Sequence, residues 1–145
     1  SGKSIQESDA KRIPILMKNH SWYVQQLAHY TWQKTNKIAQ KTEIKSALFE
    51  LIAANSPLYQ KEIETISATQ LNLLKAMVKG KTKLTSTKVM QQYHLGTPNN
   101  VRKNKIYLIN SDTIHNINGK YEFLDPAFEL WFLKQFYNED YIQNA

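Results

Sequence analysis

His94-Leu95-Gly96-Thr97-Pro98-Asn99-Asn100-Val101 is the stretch whose reading decides the fold. A glycine offers a backbone position open to positive φ, where a helix can end. The threonine after it can cap a new helix, and the proline then stands at the first helical position, where its missing N–H costs nothing. One helix therefore stops and another starts within a few residues. Upstream, Thr85 can cap a short helix carrying Val89 and Met90. Earlier still, Ser67-Ala68-Thr69-Gln70 fits a capping box opening a helix with Leu71, Leu74 and Val78 on one stripe and Gly80 as its stop. Three helices in close succession, the last two joined by a tight turn, form a helix-turn-helix pattern. Downstream, the third helix is predicted to run to about Ser111. Ile114 and Ile117 then lead to Asn118-Gly119, a dipeptide suited to the two positive-φ positions of a type I′ hairpin, and Tyr121 and Phe123 alternate on the return. A hairpin placed there is a wing, so residues 67–125 read as a winged helix-turn-helix.

Outward from this module the chain is mainly α. Asp125-Pro126 opens a final helix in which Phe128, Trp131, Phe132, Leu133 and Phe136 are too apolar to remain bare, and residues 126–145 are expected to pack on the winged helix. Toward the N-terminus, after a frayed start, helix-compatible sequence emerges at Asp9 to Lys18. Ser21 fits the cap of a helix to about Thr35. Ile44, Ala47, Leu48, Leu51 and Ile52 recur at helical spacing in another, which is predicted to bend or restart at Ser56-Pro57. Residues 1–66 are thus a helical subdomain.

The hydrophobic share of 41% suffices for a packed core. Without cysteine there is no disulfide framework and no thiolate metal site. No apolar run approaches the roughly 18 residues that cross a bilayer, and no signal-peptide pattern is present, so the expectation is a cytoplasmic protein without membrane contact. The net charge of +7 is unevenly spread: nine basic residues stand against Asp112 alone between 67 and 120, whereas the last 25 residues are net acidic. A basic segment of this kind suits an anion-binding face, and a solvated lysine-rich surface is the plainer alternative.

Catalytic chemistry is not apparent. His20, His29, His94 and His115 lack the paired spacing of a metal site, and no nucleophile–base–acid arrangement stands out. Gly2-Lys3-Ser4 resembles the end of a phosphate-binding loop but lacks the preceding strand and the earlier glycine. A fragment without catalysis, cofactor or metal of its own is expected.

Binding chemistry concentrates on the third helix of the module. At 100° per residue, Asn99, Asn100, Lys103, Tyr107 and Asn110 lie away from the buried Val101 and Leu108. Asparagine can pair with an adenine edge, and lysine or arginine with guanine or phosphate. Arg102 and Lys105 flank that face, and Lys88 and the wing-tip Lys120 can add phosphate contacts, which makes duplex DNA a candidate partner. Ile106 projects on the exposed side and suits a protein surface better than a groove. With Trp131 and Phe132 it marks the alternative, a protein-docking module.

From Asn19 onward the sequence resembles the C-terminal half of bacterial and archaeal P-loop ATPases of the AAA-like, STAND-related group. Asn19-His20-Ser21-Trp22-Tyr23-Val24-Gln25-Gln26-Leu27-Ala28 is similar to the start of that family's lid, usually N-H-P-Y-Y-V-Q-Q-L-A. Ser67-Ala68-Thr69-Gln70-Leu71, Tyr93-His94-Leu95-Gly96-Thr97 and Asn100-Val101 resemble its winged helix, and 123–132 its closing signature. The resemblance implies that residues 1–66 are a lid-type subdomain and that the Walker motifs, with ATP and Mg, belong to an upstream ATPase domain that the segment would contact. It also implies that Asn19, His20 and Ser21 lie near nucleotide. Ser21 replaces the family's proline, and Asn104 and Ile106 replace its more usual Ile and Lys. The function expected is that of a non-catalytic C-terminal segment whose winged helix binds nucleic acid or regulates the ATPase.

Overall fold

A computed structural model describes residues 2–139. The chain forms two compact units, one of residues 1–59 with 126–145 and the other of residues 60–125. Residues 140–145, the end of the segment expected to close on the winged helix and part of its acidic tail, lie outside the described residues.

In the first unit, β1 (Ser4–Ile5) pairs in parallel with β2 (Ile38–Ala39), where a frayed terminus was expected. Two residues per strand leave no periodicity to read. Two short helices follow, α1 (Glu7–Ala10) and α2 (Arg12–Leu16), and then α3 (Ser21–Lys34). Ser21, expected as a cap, is the first helical residue instead. His20 holds the N-cap position with no side-chain hydrogen bond. Lys18 and Asn19 take positive φ, and the Asn19 N–H donates to Pro14 O at 2.8 Å, so the turn ends one residue before the serine.

Helix α4 (Lys41–Thr65) runs unbroken through Pro57, against the predicted break. An internal proline costs about 3 kcal/mol. Burial of Ile44, Leu48, Leu51 and Ile52 before it, and of Tyr59 after it, outweighs that at about 1.5–3 kcal/mol per large side chain. The last helix, α8 (Pro126–Tyr137), belongs to this unit rather than to the wing-bearing one. Tyr59 packs on Phe128 and Trp131 with ring centroids 5.2 and 5.8 Å apart. The Trp131 indole N–H donates to Ser56 Oγ at 3.0 Å, and Lys18 pairs with Glu129 at 2.6 Å. The aromatic side chains thus find their partners in the N-terminal helices.

The second unit is built on α5 (Ala68–Val78), α6 (Thr87–Tyr93), α7 (Pro98–Asn110) and the antiparallel hairpin of β3 (Ile114–Ile117) and β4 (Lys120–Phe123). The capping box is complete: Gln70 N–H donates to Ser67 Oγ at 3.2 Å, and the Ser67 N–H donates to Gln70 Oε1 at 3.0 Å. Helix α5 ends in a Schellman turn, with Gly80 at φ +77° and the Lys81 N–H donating to Ala76 O. Because α5 touches α6, α7 and β4, it buries Leu73, Leu74, Ala76 and Met77, a broader surface than the single stripe read from the sequence. Leu84, Val89, Leu95, Val101, Leu108, Ile114 and Phe123 complete this core.

Candidate nucleic-acid interface

Three local devices position α7. His94 and Gly96 both take positive φ, turning the chain sharply after α6. Thr97 then caps α7, its Oγ1 accepting from the Asn100 N–H at 3.2 Å, with Pro98 at the helix start. Val101 and Leu108, both fully enclosed, fix the rotation of the helix about its axis. What remains outward is one face on which Asn99, Lys103, Ile106 and Asn110 form the centre, flanked by Arg102 and Ile109 on one side and Tyr107 on the other. No carboxylate occurs anywhere in the helix.

The expected contact residues differ in how free they are. Lys103 is exposed and holds no hydrogen-bond or ion-pair partner among the described residues. Arg102 is also exposed, and its Nη2 donates to Asn99 Oδ1, so arginine and asparagine present themselves as a pair. Asn100 is exposed but occupied locally, its Oδ1 accepting from Thr97 Oγ1 at 3.0 Å. Lys105 is half-buried, with Nζ 5.0 Å from the centre of the Tyr121 ring, a cation–π contact that ties α7 to the wing. Its ammonium is thereby committed to structure. At the wing tip Asn118 and Gly119 take φ +53° and +87°, as the hairpin reading required, and Lys120 lies 3.6 Å from the Glu122 carboxylate, which offsets part of its charge. Asn104, intermediate in burial, donates to Thr69 Oγ1 at 3.2 Å and locks α7 to α5.

Ile106 is 54% exposed at the centre of the outward face, and Ile109 is 37% exposed beside it. The other two residues expected at a partner surface are not on one: Trp131 and Phe132 are buried, because they close the aromatic cluster of the first unit. Asn19, His20 and Ser21 stand together at the start of α3, with the His20 ring edge-on to Tyr23 at 5.0 Å.

Sequence reasoning singled out Lys88 but passed over its neighbours. Gly80, Lys81, Thr82, Lys83, Ser86 and Lys88 line an open cleft of about 300 Å³, with Val89 and Gln92 on its wall. The available signal was Lys-x-Lys directly after a helix-ending glycine, which reads as solvated surface until the turn is seen to curl around α6. Among the described residues, no group of histidine and carboxylate side chains gathers as a metal site, and no helix is long and apolar enough to cross a membrane.

A family model described as a probable winged helix domain matches residues 57–134. The chain belongs to that family. The winged-helix match includes all of α5, α6, α7 and the hairpin, and extends over the last third of α4 and most of α8. No curated protein matches the chain, and no solved structure does. For the winged helix, α7 therefore stands where a recognition helix would, and β3–β4 is the wing.

Proposed function

We propose that the winged helix binds duplex nucleic acid, chiefly through backbone phosphates, as the nucleic-acid-binding or regulatory module of a P-loop ATPase. The carrying observation is the outward face of α7, where Arg102 and Lys103 stand exposed with no carboxylate on the helix to neutralise them. Nine basic residues against one acidic over 67–120 supply the wider field. Phosphate contacts outweigh base reading because Ile106 occupies the middle of the face and Asn100 is engaged with Thr97. Isoleucine can still meet a thymine methyl, and the Arg102–Asn99 pair and Asn110 can meet base edges. Fluorescence anisotropy with a labelled duplex tests this. Affinity falls with salt, and Arg102→Ala with Lys103→Ala lowers the slope of log K against log salt by about 1.8, at about 0.9 for each phosphate that is no longer neutralised. Absent binding at low salt, or binding indifferent to salt, overturns it.

The ATPase context is supported by the similarity of 19–28 and 123–132 to the lid start and closing signature of that group. On this reading the nucleotide site lies in a preceding domain, and Asn19, His20 and Ser21 face it. A Walker motif encoded before residue 1 is the expected finding, and its absence removes this part of the proposal.

Exposed Ile106 and Ile109 favour a second reading, in which α7 docks on protein. Ile106→Ala that leaves duplex binding intact while changing ATP turnover of the whole protein would favour it.

A further inference from the structure

The cleft between the α5–α6 turn and α6 is a second concentration of positive charge, formed by different elements from the α7 face. Its rim carries Lys81, Lys83 and Lys88, all exposed. None of the three has an ion-pair or hydrogen-bond partner for its side chain among the described residues. No carboxylate lines the cleft. The hydroxyls of Thr82 and Ser86 also line it, and Ser86 Oγ accepts from the Val89 N–H at 3.3 Å, leaving its own proton to donate elsewhere.

The backbone holds this arrangement in place. Gly80 at φ +77° closes the Schellman turn, with its N–H donating to Met77 O at 2.9 Å and the Lys81 N–H to Ala76 O at 3.1 Å. The Ser86 N–H donates to Lys83 O at 3.2 Å, and Leu84, 3% exposed, anchors the turn in the core between the two lysines and α6. Lys81 and Lys83 therefore project from a fixed loop rather than a free one. Three like charges around one opening repel one another, and an anion seated among them removes that cost while releasing its condensed counterions.

We propose that this cleft seats a backbone phosphate of the bound nucleic acid, with Lys81, Lys83 and Lys88 as its cations and the Ser86 and Thr82 hydroxyls as donors. The assignment rests on the nucleic-acid reading above and joins Lys81, Lys83 and the two hydroxyls to Lys88, which alone of the group the sequence singled out. Its chemistry is blind to base identity, so it contributes affinity and register but no sequence preference.

The test uses the whole chain and a short labelled duplex, titrated at several salt concentrations, with the double variant K81A/K83A and the control K37A/K41A. The control removes the same charge from exposed lysines of the first unit. K81A/K83A is expected to lower the salt slope by about 0.9, the share of the one phosphate seated there, so that between about 50 and about 200 mM salt it loses roughly 3.5-fold less affinity than the unaltered chain. The control keeps the original slope. An unchanged slope in K81A/K83A, or an equal drop in the control, overturns the cleft assignment. If Arg102→Ala with Lys103→Ala flattens the slope in the same series, the nucleic-acid reading stands without the cleft. If the unaltered chain binds no duplex at all, both fall. Inorganic phosphate added at constant ionic strength separates the sources of the anion. Little competition is expected for a phosphodiester seat, and full displacement by millimolar phosphate points to a pocket for free phosphate and overturns the proposal.

Discussion

Gly96→Ala perturbs the turn that aims α7, and its cost follows from the structure. Gly96 sits at φ +83°, a region in which an L side chain is strained by about 1–2 kcal/mol. A Cβ added there meets Asn100 Nδ2 at 2.7 Å and Asn100 Cβ and Cγ at 3.3 Å. The amide must swing away, which breaks its bond with Thr97 Oγ1 and loosens the α7 cap by about 1 kcal/mol. Together these amount to about 2–3 kcal/mol. Gly80 provides the internal comparison, since it has φ +77° but nothing within 4 Å of an added Cβ, so Gly80→Ala carries the strain alone. Amide hydrogen exchange read on peptides from 68–123 isolates the second unit from the tryptophan-bearing first one. At a factor of ten per 1.4 kcal/mol, protected amides in that segment should exchange roughly 30- to 150-fold faster in Gly96→Ala. In Gly80→Ala the rise should be roughly 5- to 30-fold. In an Asn100→Ala background, which already lacks both the amide and its bond to Thr97, adding Gly96→Ala should raise exchange only as much as Gly80→Ala does in the unaltered chain. Equal effects of the two glycine replacements in the unaltered chain, or an undiminished effect of Gly96→Ala in the Asn100→Ala background, would refute the clash argument.

Other expectations concern the framework. Ser56→Ala strips the acceptor from the Trp131 indole N–H inside the first unit and should cost about 1–3 kcal/mol, read by urea unfolding on tryptophan fluorescence; no loss would mean that the bond at 3.0 Å is dispensable. Ser67→Ala opens the capping box and should destabilise α5 by about 1 kcal/mol, visible as faster exchange in its first turn while the wing amides move less. Glu62 has its carboxyl pushed above the ordinary 4.5, first by desolvation and then by the Asp125 carboxylate. The folded chain therefore holds a proton that the unfolded chain releases. This contribution is fully present below pH 4.5 and is lost as pH rises through the folded pKa. Glu62→Gln should raise stability slightly at neutral pH and flatten the pH profile just above 4.5, and an unaltered profile in thermal melts would contradict the assignment. Because the residue keeps contact with solvent, the effect is small.

What could be read from the sequence was local. Ser67 with Gln70, Thr97 with Pro98, and Asn118 with Gly119 each declare a helix start or a tight turn through neighbours at most three residues away, so the winged helix was legible. The unbroken α4 was not, because the proline rule knows the hydrogen bond lost at Pro57 but not the burial of Tyr59 just beyond it. Trp131 and Phe132 were correctly read as needing cover, yet which helices cover them is a tertiary fact settled by Ser56 and Tyr59, more than 70 residues away. The binding face was partly legible. Periodicity placed Lys103 and Ile106 outward, but it could not see that Tyr121 holds Lys105, that Glu122 meets Lys120, or that the turn after Gly80 gathers Lys81 and Lys83 beside Lys88.

Contact between the outward face of α7 and nucleic acid can be seen residue by residue in amide chemical-shift changes while a duplex is titrated into the isotope-labelled chain. The largest changes are expected at Asn99, Lys103, Ile106 and Asn110, with weaker ones at the wing tip, and all should diminish as salt is raised. No changes at low salt, or changes confined to the first unit while α7 stays silent, would contradict it.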